Sequence, residues 1–181
     1  MGRQAIRLTS TSYIVLGLID LAGPSTPYDL KRLLVQSVEN FWPVPHTTFY
    51  AEPERLASAG YLSVQQEEGG RRRKTYAITQ AGTDALADWV GTAQAAAPQM
   101  HDEGMLLVFF GADPRPVNSA RIGWHRAKLA ELEGYLENQT SSGGAPGVIR
   151  SLIAGTMYHR MCIEFHERLL AMGEQALGAP E

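Results

Sequence analysis

The side chains of this sequence best suited to chemistry lie in two short stretches, and both are suited to recognition rather than bond-making. Residues 43 to 50 read PVPHTTFY, and residues 71 to 76 read RRRKTY. The first places an imidazole, two hydroxyls and a phenol (His46, Thr47, Thr48 and Tyr50) behind two prolines. Such groups donate and accept hydrogen bonds. The second, Arg71, Arg72, Arg73 and Lys74, is the densest positive run in the chain and follows two glycines. Guanidinium and ammonium groups in that arrangement suit phosphate or carboxylate. The sequence offers no nucleophile with a base and an orienting acid, no phosphate-cradling glycine loop and no carboxylate pair. No catalytic residue is therefore assigned, and an enzyme is not expected. The five histidines show no metal-binding spacing: His159 and His166 stand seven apart, two helical turns, too far for one ion without help. No metal or cofactor is expected. The single Cys162 excludes an intramolecular disulfide and a cysteine-rich metal cluster, and is expected to be buried.

Charge distribution qualifies the net charge of −3 over 181 residues. Residues 1–90 carry nine basic and nine acidic side chains, and residues 91–181 carry seven and ten. Four of the nine basic residues of the first half fall at 71–74. A local patch of this kind can hold phosphate on a protein that is acidic overall. Hydrophobic residues make up 44% of the chain and charged residues 19%, enough for a packed core. The longest apolar run, MLLVFFGA at 105–112, falls short of the about 18 residues that a membrane span needs. The opening MGRQAIRLTS shows no secretory signal. The expectation is a cytoplasmic protein that does not engage a membrane.

Positioning the two stretches requires a scaffold, and the pattern supplies one. Tyr13, Ile14, Leu16, Leu18 and Leu21 form an apolar helix that AGPS at 22–25 stops. Pro27 opens a second helix whose buried stripe is Tyr28, Leu30, Leu33, Leu34 and Val38. NFWPVP ends it. A third helix runs from His46 or Thr47, either of which is placed to cap it, to about Ala59, with Glu52 and Glu54 toward its positive end, Pro53 inside it and Gly60 closing it. Residues 61–79 read as a hairpin turning at EEGG. A fourth helix follows Thr79, with Ala81, Leu86, Trp89 and Val90 inward. After the Ala-rich stretch 91–99 the chain reads as helical: a short segment at 99–110, then long helices at 116–140 and 146–177. Val148, Leu152, Gly155, Tyr158, Cys162, Phe165, Leu169, Met172 and Ala176 form a near-heptad seam on the last, which asks for a partner helix.

In this order and spacing, VLGLIDLAGPSTPYDLKR at 15–32, FWPVPHTTFYAEPERLASAGYL at 41–62 and GRRRKTYAITQAGTDAL at 70–86 resemble the PadR family of bacterial transcriptional regulators. The chain departs from the family pattern in two places. Thr26-Pro27-Tyr28 stands where a small residue usually precedes GY, and the proline of the usual GTLYPAL comes two positions later, at Pro53. The resemblance implies a mainly α fold with a small β-hairpin: a winged helix-turn-helix domain at 1–92 and a helical dimerisation and effector domain at 98–178. It implies a homodimer built by C-terminal helices, binding to palindromic double-stranded operator DNA, and repression relieved by a small hydrophobic or phenolic effector.

Read this way, His46, Thr47, Thr48 and Tyr50 meet base edges at the start of the recognition helix, and Arg71, Arg72, Arg73 and Lys74 meet phosphate from the wing. Arg3 and Arg7 are weaker candidates in the N-terminal arm. The plainer readings are that Thr47 only caps the helix, that Tyr50 is core, and that the charge run is a solvated hairpin. Trp42, Trp124, Met157, Tyr158 and Met161 are candidates for an effector site, set against ordinary core and dimer packing. The alternative function is a small-molecule sensor or protein-interaction module whose helix-turn-helix no longer binds DNA, suggested by the net charge and by Pro53.

Overall fold

The computed structural model describes residues 6–66, 73–92, 94–95 and 97–176, with side chains to 172. Its residues divide into two compact units, with the boundary between residues 95 and 96. The elements of the first unit are α1 (Ser10–Ala22), α2 (Pro27–Val35), a 3-10 turn at Val38–Asn40, α3 (His46–Ser58), β1 (Leu62–Gln66), β2 (Lys74–Ile78) and α4 (Gln80–Thr92). The second unit holds α5 (Glu103–Phe109), α6 (Pro114–Ser141) and α7 (Pro146–Ala176). The result is a mainly helical winged helix-turn-helix fold, with one antiparallel hairpin pairing Leu62 with Ile78 and Gln66 with Lys74.

Capping residues set where α1 and α2 begin. Thr9 and Ser12 form a reciprocal capping box at α1, and Thr26 and Asp29 form another at α2, where Pro27 takes the first helical position. Hydrogen bonding to Thr26, from its side chain and then its backbone, lowers the Asp29 pKa. The core of the unit is made by Val15, Leu16, Ile19, Leu30, Leu34, Phe49, Leu56, Leu62 and Tyr76. Gly60, at φ 83°, ends α3 in the left-handed region, and the Tyr61 amide returns to the Leu56 carbonyl at 3.0 Å. Gly82 lets α4 close on the hairpin: a Cβ there would collide with the Tyr61 carbonyl and lie 2.8 Å from Ile78.

Several inward assignments are corrected. Tyr28 and Val90 are 72% and 69% exposed, and Trp89 is also exposed, stacked on Tyr13 at 4.6 Å. Tyr13, Leu21, Phe41, Trp42, Trp89 and Val90 instead help to line an open apolar groove of about 440 Å³ on the first unit. Periodicity marked these residues as apolar, but it could not tell a buried face from an apolar face left open.

In the second unit α6 and α7 run antiparallel, as the pairs Asn118–His166 and His125–His159 show: one number rises as the other falls. Gly155 allows close approach, since a Cβ there would sit 3.0 Å from Leu132. The buried stripe of α7 is Leu152, Thr156, His159, Cys162 and His166. Tyr158, Phe165 and Met172 of the expected seam are exposed. The seam therefore lies about one position from where apolar spacing alone placed it, because polar side chains occupy the interior.

Those polar side chains are chiefly imidazoles. His125, His159, His166 and Asn118 are all nearly inaccessible. His125 and His159 share a hydrogen bond between Nδ1 atoms at 2.8 Å, and His166 Nδ1 donates to Asn118 Oδ1 at 2.8 Å. A donor facing a bare nitrogen requires one imidazole of the pair to be neutral. Burial, then the neighbouring His159, His166 and Arg121, push the His125 pKa down to about 4, with Asp102 opposing; burial also lowers His159, followed by Lys128. Burial is likewise the main cause for His166. Spacing along the chain set these residues apart, whereas helix pairing brings them together. No group of three ligating side chains able to hold a metal ion is found among the described residues.

The folded pKa of His125 lies below that of the unfolded chain, so the neutral cluster stabilises the fold fully above about pH 6.5 and loses that contribution as pH falls toward 4. The melting temperature of the second unit should therefore drop by roughly 5 °C or more between pH 7 and pH 5. Calorimetry across that range checks this, and His125→Gln should flatten the dependence.

Candidate nucleic-acid interface

α3 is seated by one face and offers the other. Phe49, Glu52, Pro53 and Leu56 are buried, while His46, Thr47, Thr48, Tyr50, Ala51, Glu54 and Ser58 form the exposed face. The helix is continuous through Pro53, whose ring is among the most deeply buried groups of the unit. The missing amide at 53 costs one helical hydrogen bond, and the ring's burial offsets part of that loss.

The N-terminus of α3 differs from expectation. Pro45 occupies the cap position and contributes no side-chain hydrogen bond, so neither His46 nor Thr47 caps. Both side chains are exposed. Tyr50, 47% exposed, is not core. No acidic residue lies in the first turn. Glu52 and Glu54 sit farther along and have other partners.

Glu52 is buried and faces Arg55. The guanidinium donates from Nε to Oε2 at 2.8 Å and from Nη2 to Oε1 at 2.6 Å. Its Nη2 also reaches Ser12 Oγ at 2.9 Å, and Nη1 reaches the Arg7 carbonyl at 3.3 Å. A bidentate pair of this kind has defined geometry. It locks the second half of α3 to the capped start of α1.

Glu54 faces the hairpin. Its Oε2 accepts from Lys74 Nζ at 2.7 Å and from the Tyr76 hydroxyl at 2.8 Å. The Lys74 hydrogen bond, then that of Tyr76, hold the Glu54 carboxyl below its usual pKa. Burial, then the Glu54 bond, push the Tyr76 phenol up to about 12. Residues 74 and 76 share one face of β2 because side chains alternate along a strand. Tyr76 is anchored again through its backbone, which exchanges two 2.9 Å hydrogen bonds with Ser25 just before α2.

Of the predicted wing residues, Arg73 is exposed and Lys74 is half-buried against Glu54. Arg71, Arg72 and Arg3 lie outside the described residues. Arg7 is exposed. Among the candidate effector residues, Trp42 lines the apolar groove of the first unit. Trp124, Met157, Tyr158 and Met161 are all exposed on the second, with Trp124 4.8 Å edge-on to His125 and Tyr158 5.4 Å from His159, ring centre to ring centre. Sequence reasoning missed the partners of Glu52 and Glu54. Helical spacing of Glu52 and Arg55 and strand alternation of Lys74 and Tyr76 were the available signals.

An exposed helix face rich in hydrogen-bonding groups, fixed to a capped helix pair and to a hairpin carrying arginines, is suited to reading a groove and its flanking backbone. Comparison with known proteins agrees in family. Residues 15–88 match the Transcriptional regulator PadR-like family. This match supports a regulator of the PadR-like family. The chain is similar there to transcriptional regulators, and that family is not one of enzymes. The negative transcriptional regulator PadR of Bacillus subtilis is 26% identical over 137 residues, covering 72% of this chain and 75% of that protein. The crystal structure of Bacillus subtilis PadR in complex with operator DNA matches with a TM-score of 0.79 at 23% identity, covering 93% of this chain and 99% of that one. The structure of the same PadR with p-coumaric acid matches with a TM-score of 0.71, also at 23% identity and with the same coverage. No helix among the described residues of this PadR-like regulator is long and apolar enough to cross a membrane.

Removing Arg55 would leave the Glu52 carboxylate buried without its partner. Arg55→Ala should therefore cost about 2 kcal/mol of stability in the first unit, measured by denaturant unfolding. It should also reduce protection of the α3 amides in hydrogen exchange.

Proposed function

We propose that this PadR-like regulator is a homodimeric repressor that binds palindromic operator DNA and releases it on binding a small hydrophobic or phenolic effector. The observation that carries this reading is the outward face of α3: His46, Thr47, Thr48 and Tyr50 stand exposed, while the opposite face is sunk into the core. In this reading the start of α3 enters the major groove. There Thr and His side chains meet base edges, and a Thr methyl can pack on a thymine methyl. The hairpin, with Arg71, Arg72, Arg73 and Lys74, lies along the flanking phosphates and neutralises them.

The dimer is supported by what one chain leaves uncovered. On α7, Met157, Met161, Phe165 and Met172 are exposed, as are Phe109 and Phe110 around the end of α5. Large apolar side chains in such numbers are ordinarily covered by a partner. The effector reading is supported by the apolar groove that Trp42 lines, with a volume in the range of small-molecule sites. Trp124, Met157, Tyr158 and Met161 remain the candidates on the second unit. The operator complex and the p-coumaric acid complex of the Bacillus subtilis relative fit both halves of this reading.

Fluorescence anisotropy with duplexes from the region upstream of the protein's own coding sequence tests it. Thr48→Ala and Tyr50→Ala should each reduce discrimination against altered sites by about 1–3 kcal/mol. Arg73→Ala should weaken all duplexes alike and reduce the slope of log affinity against log salt by about 1. Failure of the wild-type protein to prefer any duplex, together with tight binding of a small molecule, would favour the sensor without DNA binding.

A further inference from the structure

α3 holds two acidic residues, and one of them, Glu54, is exposed on the face assigned above to a polyanion. A carboxylate there repels phosphate, so its presence calls for a role. The structure supplies one in the ion pair with Lys74, a lysine of the basic run that the DNA reading sends to phosphate. The ammonium lies 2.7 Å from Glu54 Oε2. The two side chains are 41% and 52% exposed, so water and ions reach the pair and its partners can exchange. Tyr76 is buried and donates to the same oxygen at 2.8 Å. The phenol therefore fixes the carboxylate whether or not Lys74 is attached. For Lys74, this oxygen occupies the place that a phosphate oxygen would take.

We propose that Glu54 is a specificity-determining residue that holds Lys74 in reserve as an internal substitute for phosphate. The lysine transfers to DNA when α3 and the hairpin are fully seated on a matching site. This inference rests on the DNA-binding reading above. In a loosely docked complex, exchanging one anion for another yields little. Lys74 then releases no extra counterion and adds nothing to non-specific affinity. In a seated complex, phosphate is held beside Lys74 by the neighbouring contacts, and the exchange becomes favourable. The pair would thus widen the gap between specific and non-specific binding without touching a base.

Glu54→Gln keeps an oxygen for the Tyr76 hydroxyl and removes the charge. Measured by anisotropy across a salt series, the variant should bind non-specific duplex roughly three- to tenfold more tightly, with a salt slope steeper by about 1. Its specificity ratio should fall by a similar factor. Adding Lys74→Ala to Glu54→Gln should abolish the gain. Lys74→Gln alone, which leaves Glu54 and Tyr76 in place, should weaken specific binding by a larger factor than non-specific binding. It serves as the second test should Glu54→Gln fail to fold. Unchanged affinities in both variants overturn the proposal, as does a gain that survives loss of Lys74 or an equal loss on both kinds of duplex in Lys74→Gln. The wild-type arm separates the two claims. Sequence preference there with no change in the variants sinks only the Glu54 proposal, whereas no preference sinks the DNA-binding reading and this inference with it.

Discussion

The seating of α3 is the constraint on which the rest of the first unit depends. Phe49, Pro53 and Leu56 are almost wholly inaccessible, and Phe49 and Leu56 join a core that includes Leu16, Leu30 and Leu34. Full burial of each large apolar side chain is worth about 1.5–3 kcal/mol. That energy fixes the rotation of the helix, so the opposite residues cannot turn inward. A proline in mid-helix would ordinarily be a liability. Here its ring fills the interior, and the chain keeps its path. The bidentate contact of Arg55 with the buried Glu52 adds direction where apolar packing is non-directional.

A second tether sets the hairpin. Tyr76 belongs to β2, bridges backbone to Ser25 and donates its hydroxyl to α3 through Glu54. One residue thus connects the strand, the entrance of α2 and the exposed face of α3. A two-stranded hairpin is only marginally stable alone. These contacts, with Gly82 letting α4 press against it, turn it into a fixed part of the surface proposed to meet DNA.

The C-terminal unit follows another logic. Its helix pair buries three imidazoles and an asparagine beside Leu132 and Leu152 while leaving large apolar groups outside. The interior is specified by directional hydrogen bonds, which tolerate few alternative registers. The exterior retains the adaptable, methionine-rich surface that association or ligand capture uses.

Much of this was legible in the sequence. Prolines and terminal glycines marked the helices, and alternation around EEGG marked the hairpin. The quartet at the start of α3 was named through the family resemblance, with core burial of Tyr50 left as the alternative. What escaped notice were pairings between distant positions: Glu54 with Lys74, Arg55 with Ser12, His125 with His159. Apolar periodicity also misplaced the α7 stripe, because it gives no weight to a buried histidine, and it counted Val90 and Trp89 as core although they border an open groove. Guanine methylation interference on an upstream duplex measures the central claim most directly, since the N7 methyl group projects into the major groove. Two clusters of interference about one helical turn, or a multiple of it, apart are predicted. Undiminished binding to duplex methylated throughout would contradict a groove-reading α3.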